Sequence, residues 1–388
     1  MTVAISKVSF EHYYSPLGVS HPTPRISWSF EGDAKHWTQV AYEIRIVRAG
    51  HTETFRRDTD RSVLVDWPSK ALSSREHAEV HVRVEGSDGK KTEWFQTSVE
   101  AALLSRSDWS AKLITLPHLR DTKPKETSAP GDDDDPCRDG PGESLKPFRL
   151  RSSFSVNSTP GQARLYVTAC GIHYTYVNGK IVSPDLLEPG WSSYHDHLNY
   201  RVYNVTDLIQ SGDNVLASWV GEGWFAGRLG WGQGVREMWG NKIGLIAQLE
   251  IDGKVVKTTA ETEHWTWSYG ATEFGEIYDG EKYDTRIDDS EWMVNMLSEQ
   301  GAYPMVPGTT IVGADIGRQT GNEQSSYRFL RQNCSRPKLP LSAPMRSFNR
   351  KRSSRPLWVK QSSILAKTLQ AGCGSIACLP VKRWRGPS

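Results

Sequence analysis

Through most of the chain, hydrophobic residues fall on alternate positions. Ile26, Trp28 and Phe30 alternate with Arg25, Ser27 and Ser29, and Val40, Tyr42, Ile44 and Ile46 alternate with Gln39, Ala41, Glu43 and Arg45. A period of two is the mark of strands with one face buried. Val80, Val82 and Val84 alternate in the same way and run into Asp88-Gly89, a dipeptide that suits the positive φ angles of a type I′ hairpin. No helix of three turns is evident there. Residues 1–105 therefore predict a small antiparallel sandwich of the fibronectin type III or immunoglobulin kind.

The alternation lapses over residues 106–146, where TKPKETSAPGDDDDPCRDGPGESLK carries Pro, Gly and Asp but no apolar period. Such a segment cannot bury enough surface to order itself, so it predicts a linker with an acidic loop. Its DDDD run reads as a solvated stretch, because nothing fixes its oxygens into a coordination shell. From Pro147 the β pattern returns: Ala163, Leu165, Val167 and Ala169, a hairpin at Asn178-Gly179, then Leu245, Ala247, Leu249 and Ile251 up to Asp252-Gly253. Residues 147–293 predict a second, larger antiparallel sandwich of jelly-roll type. Residues 294–330 read as a linker or the start of a further β-domain, and 331–388 as an irregular basic tail. The fold class expected is all-β.

Composition changes this picture in three places. No run among the 388 residues approaches the roughly 18 apolar residues of a membrane span, and the start, MTVAISKVSFEHYY, has no secretion signal pattern. With five irregularly spaced cysteines, these features lead us to expect a cytoplasmic protein without a membrane partner. Eight of the fifteen tryptophans lie between Trp191 and Trp292, which points to specialised loops in the second sandwich. Residues 331–388 hold 13 Lys and Arg and no acidic residue, whereas 34 basic face 45 acidic residues before them. A basic arm is a common nucleic-acid device. This one also holds three of the cysteines and two tryptophans, so no nucleic-acid partner is expected.

The tryptophan-rich connections are PGWSSYHDHLNY (189–200), GEGWFAGRLGWGQG (221–234) and GEIYDGEKYD (275–284). An indole covers the apolar face of a pyranose while charged groups bind its hydroxyls, so Trp191, Tyr194, Trp224, Arg228 and Trp231 are the carbohydrate-binding candidates. Packing of the same aromatics within or between domains stands beside that reading, and Trp219, in an alternating strand, reads as core. His195 and His197 would share one face of a strand, but no third ligand accompanies them and no metal is expected. Glu276, Asp279, Glu281 and Asp284 invite a glycosidase acid–base pair; spacing selects none, and a solvated rim is the simpler reading.

The strings NGKIVSPDLLEPGWSSYHDHLNYRVYNVTDLI, GEGWFAGRLGW, GLIAQLEIDG and IYDGEKYDTR resemble, in order and spacing, the N-terminal β-sandwich region of α-L-rhamnosidases. VSFEHYYSPLGVSHPTPRISWSF with AYEIRIV resembles the fibronectin-like domain that opens many of them. The resemblance covers residues 4 to about 293. It implies rhamnose-containing glycosides as partners and an inverting hydrolase whose acid and base lie in a downstream (α/α)6 barrel that is missing here. No catalytic residue carries over, so the chain is expected to be inactive alone and at most carbohydrate-binding; a structural or protein-interaction pair of sandwiches is the alternative. In some members a sandwich binds rhamnose with a calcium ion; its ligands are not matched here position by position, so calcium stands only as a family analogy and no cofactor is otherwise expected. A permitted coding of Ile364–Gly374, read one base earlier, encodes DFGQNLAGWLR, which looks like the rhamnosidase segment leading toward the barrel. Residues 331–388 are thus expected to be an out-of-frame, disordered tail.

Overall fold

The computed structural model describes residues 3–32, 36–116, 144–194, 196–230, 234–287 and 292–294, together with the backbone of three short strands beyond them. The acidic DDDD run, Trp231, His195 and the basic tail lie outside the described residues, and so do the expectations placed on them.

The first sandwich holds β1 (Ala4–Phe10), β2 (Leu17–Val19), β3 (Ile26–Glu31), β4 (Gln39–Arg48), β5 (His51–Arg57), β6 (His77–Gly86) and β7 (Phe95–Ala101). β1 and β3 pair as one small sheet, and β2-β7-β6-β4-β5 form the other. All pairings are antiparallel except β2 on β7, which is parallel. Ile26, Trp28, Ile44, Ile46, Val80, Val82 and Val84 meet in one core, as their alternation requires. Val40 does not. A register shift between Gln39 and Ala41 turns Val40 outward and Gln39 inward. The buried Gln39 amide then accepts from the Trp28 indole at 2.9 Å and donates to the carbonyls of Thr59 and Arg61 at 3.0 Å.

The second sandwich holds β8 (Leu113–Thr115), β9 (Phe148–Val156), β10 (Ala163–Cys170), β11 (Ile172–Val177), β12 (Lys180–Ile181), β13 (Leu198–Asn204), β14 (Gly212–Gly221), the one-turn helix α1 (Gly223–Ala226), β15 (Gly244–Ile251), β16 (Lys254–Thr258), β17 (Trp265–Tyr269), β18 (Thr272–Glu276) and β19 (Gly280–Tyr283). The strands β20 (Tyr303–Pro304), β21 (Thr310–Ile311) and β22 (Ser325–Tyr327) follow. One sheet runs β21-β8-β15-β10-β13-β22 with β16 on β15, and the other runs β12-β11-β14-β9-β17-β20. Strand β8 thus belongs to the sandwich although its sequence lies in the predicted linker. Strands β20 to β22 likewise extend these two sheets rather than open a further domain.

Leu165, Val167, Leu245 and Leu249 from one sheet meet Phe148, Leu150, Leu216, Val220 and Trp265 from the other, all fully buried. Inward Ser218 and Val220 force Trp219 outward. It lies half-buried on the outer face of its sheet, edge-on to Trp292 with ring centroids 5.7 Å apart, which corrects its assignment to the core. Asn178-Gly179 and Asp252-Gly253 have positive φ at both residues, as type I′ turns demand. At Asp88-Gly89 only Gly89 does, so that connection is not type I′.

On β10 and β15 the polar half of the alternation is buried too: Tyr166, Thr168, Gln248 and Glu250 are all nearly inaccessible. Their face of the sheet is covered by the first sandwich. Arg75 makes two hydrogen bonds of 2.7 Å to the Glu250 carboxylate and two of 3.1 Å to Asp108, one to its carboxylate and one to its backbone carbonyl. Arg164 returns the gesture, gripping Glu100 of β7 at 2.7 and 2.8 Å. Trp109 sits between, edge-on to Tyr166 and Tyr200, and the Tyr200 hydroxyl donates to the Leu103 carbonyl at 3.0 Å. The forked guanidinium matches both carboxylates in two-point geometry. Removing one partner leaves a buried charge. We therefore expect Arg75→Ala to destabilise the full chain by about 3–5 kcal/mol in urea unfolding, and Glu250→Gln to cost less because the amide keeps an acceptor for Arg75.

Candidate functional site

The loop after β12, the turn around α1 and the β18–β19 hairpin carry the three tryptophan- and tyrosine-rich strings. GEGWFAG spans the end of β14 and α1. Gly223 has φ +52, and a Cβ there would come 2.5 Å from the Ile172 side chain, so the chain turns into α1 only with glycine at this place. That turn puts Trp224 on one side of the helix and Phe225 on the other.

Trp191 lies on Trp224, with ring centroids 5.9 Å apart and planes 17° from parallel. Trp239 meets the edge of Trp191 at 5.9 Å and tilts against Tyr194 at 5.2 Å. Tyr194 is 2% exposed and edge-on to Phe225. Its hydroxyl donates to the Gly190 carbonyl at 3.4 Å, and burial pushes its ionisation up. Trp224 and Trp239 are half-buried, whereas Trp191 is 54% exposed. The stack therefore uses one face of Trp191 and leaves the other to solvent; Leu186, Leu187 and Met238 are exposed as well.

Of the five candidates, Trp191, Tyr194 and Trp224 come together, with Tyr194 as the support beneath. Arg228 belongs to a separate cluster. Its guanidinium holds Asp279 at 2.7 and 2.5 Å and lies over the Tyr278 ring at 5.3 Å. Its backbone amide donates to Glu276 at 3.0 Å.

Sequence reasoning missed Glu222 and Arg236, because each is a lone charge in a loop string with nothing to mark it as buried. Glu222 is 1% exposed and accepts from the Leu145 amide at 2.6 Å and the Ser144 hydroxyl at 2.8 Å. Arg236 reaches Glu222 at 3.3 Å and pairs closely with Glu276. Burial, and after it the neighbouring Glu276 carboxyl, raises Glu222 to about 7 against the backbone and hydroxyl donors that lower it. Glu276 is thus no solvated rim residue, unlike Asp284, which Arg286 holds down at about 2. Both carboxylates engage the same Arg236 nitrogen, Nη1. A glycosidase pair instead stands about 5 Å or more apart across an open space that admits the scissile bond. Among the described residues no group of three or more His, Cys, Asp and Glu side chains is arranged to hold a metal ion.

The Alpha-L-rhamnosidase N-terminal domain profile matches residues 158–316, and the Rha78A-like N-terminal immunoglobulin domain profile matches residues 5–105. The chain carries the amino-terminal domains of the α-L-rhamnosidase family. An α-L-rhamnosidase of Alteromonas sp. is 31% identical over 309 residues, covering 73% of this chain and 32% of that protein. One from Formosa agariphila is 29% identical over 326 residues, covering 80% of this chain and 34% of that protein. The crystal structure of the Aspergillus terreus α-L-rhamnosidase superposes with a TM-score of 0.67 at 35% identity, over 79% of this chain and 34% of its own. The chain spans about a third of the length of the rhamnosidases it matches. Among the described residues no helix is long and apolar enough to cross a membrane.

Half-buried Trp224 supports the stack and Trp191 caps it. Trp224→Ala is expected to cost about 3–5 kcal/mol of stability through the cavity it opens, and Trp191→Ala about 0.5–1.5 kcal/mol for the lost stacking. Thermal unfolding of the two variants beside the parent chain measures the difference.

Proposed function

We propose that this chain is the non-catalytic amino-terminal portion of an α-L-rhamnosidase, and that its second sandwich contacts rhamnose-containing glycosides through Trp191. The observation that carries the binding half is the free outer face of Trp191, held in place by Trp224 behind it and Trp239 at its edge. A pre-positioned indole loses little side-chain entropy on binding and offers a flat apolar face to the C–H face of a sugar ring. The glycoside class comes from the family to which the matched domains belong.

Leu186 and Leu187, earlier on the Trp191 loop, and Met238, next to Trp239, are exposed apolar residues that favour a second reading in which this part of the sandwich packs against another domain. The two readings part in solution. Titration of the full chain with methyl α-L-rhamnoside is expected to change tryptophan emission with a dissociation constant in the millimolar range, about −4 kcal/mol. The change is expected to vanish in Trp191→Ala and persist in Trp219→Ala, which lies on the outer face of the sheet. No response, with or without added calcium, would leave only the packing role.

A further inference from the structure

Glu222 and Glu276 grip the two ends of the short segment that carries Trp224. Glu222 is the residue immediately before α1, and Glu276 accepts from the amide of Arg228, two residues after it. Arg236 closes the ring from a returning strand: Leu229 and Val235 exchange hydrogen bonds of 2.9 and 2.7 Å, and the Glu237 amide donates to Ala226 at 2.9 Å. The three side chains are 1%, 0% and 8% exposed, so water screens none of them.

The charge does not balance. Two carboxylates face one guanidinium, whose Nε is buried without a partner. The remaining charged groups around the cluster do not supply the missing cation. Arg228 directs its guanidinium to Asp279 and Tyr278, and the Lys146 ammonium lies over the Tyr269 ring. Glu237, next to Arg236, adds a further carboxylate, and from the described residues before β9 the Ser144 hydroxyl and the Leu145 amide reach Glu222. The Glu222, Glu276 and Arg236 set becomes neutral if the two carboxyls, which meet on the same Arg236 nitrogen, hold one proton between them.

We propose that Glu222, Glu276 and Arg236 form a proton-dependent clasp that holds α1 and its Trp224 in place, closed while the carboxyls share a proton and loosened when they lose it. Its bearing on sugar binding rests on the reading of Trp191 as a platform; the clasp itself does not. The sign follows from Glu222 being raised by burial: the folded state holds its proton more tightly than the unfolded chain, so the stabilisation is full at acid pH and is lost as pH rises through about 7. Glutamine at either position mimics the protonated acid and leaves one carboxylate for one guanidinium.

The test is amide hydrogen exchange over residues 222–230 in the sugar-free full chain between pH 5 and 8.5, corrected for the intrinsic pH dependence of exchange. Protection in the parent chain is expected to fall by roughly tenfold or more across that range, and to stay level in Glu222→Gln and in Glu276→Gln. A level profile in the parent chain would overturn the proposal. So would a fall that persists unchanged in both glutamine variants, since another group would then be responsible. The readout needs no ligand, so a failed rhamnoside titration and a failed clasp are separate results.

Discussion

A β-sheet buries one face in its own sandwich, and the other face remains wet unless something docks there. In this chain, buried arginines held by carboxylates do the docking. Arg75 on Glu250 and Arg164 on Glu100 seal the outer face of one sheet of the second sandwich against the first, while Arg236 on Glu222 and Glu276 binds the loops at its end. Such pairs add little net stability over apolar contacts, because desolvation offsets most of the attraction. Their effect is on geometry. A forked donor accepts a carboxylate from few directions, so each pair fixes how its two elements meet.

That division explains what the sequence revealed. Alternation in Ile44, Ile46, Val80 and Val82 sets the core because a strand offers only two faces, and the hairpins at Asn178-Gly179 and Asp252-Gly253 follow from local backbone preference. The errors arise where tertiary contact decides. Val40 leaves the core because a bulge spends one residue, and that bulge serves the Trp28–Gln39 hydrogen bond, a contact between strands. Trp219 turns outward because strand parity overrides hydrophobicity. Tyr166, Gln248 and Glu250 occupy the other half of that alternation and are buried by a neighbouring domain that no period can announce.

The candidate site was half legible. Glycine and tryptophan in close succession marked the loops, and Trp191 with Trp224 forms the stack they suggested. Arg228 was grouped with them by proximity in sequence, yet its guanidinium serves the β18–β19 hairpin. Glu222 and Arg236 stayed hidden because burial of a charge depends on partners 14 to 78 positions away. The strings that resemble rhamnosidases proved the stronger guide, since they carry spacing and order together and coincide with the matched domains.

The account places these residues in the part of a rhamnosidase that supports chemistry rather than performs it. The buried carboxyls that come closest to a catalytic pair, Glu222 and Glu276, are both tied to one nitrogen of Arg236 rather than set across an open space for a glycosidic bond. Incubating the purified chain with an aryl α-L-rhamnoside and following release of the phenol tests this most directly. No release above the uncatalysed rate is predicted. Sustained turnover that disappears on substitution of Glu222 or Glu276 would contradict the account.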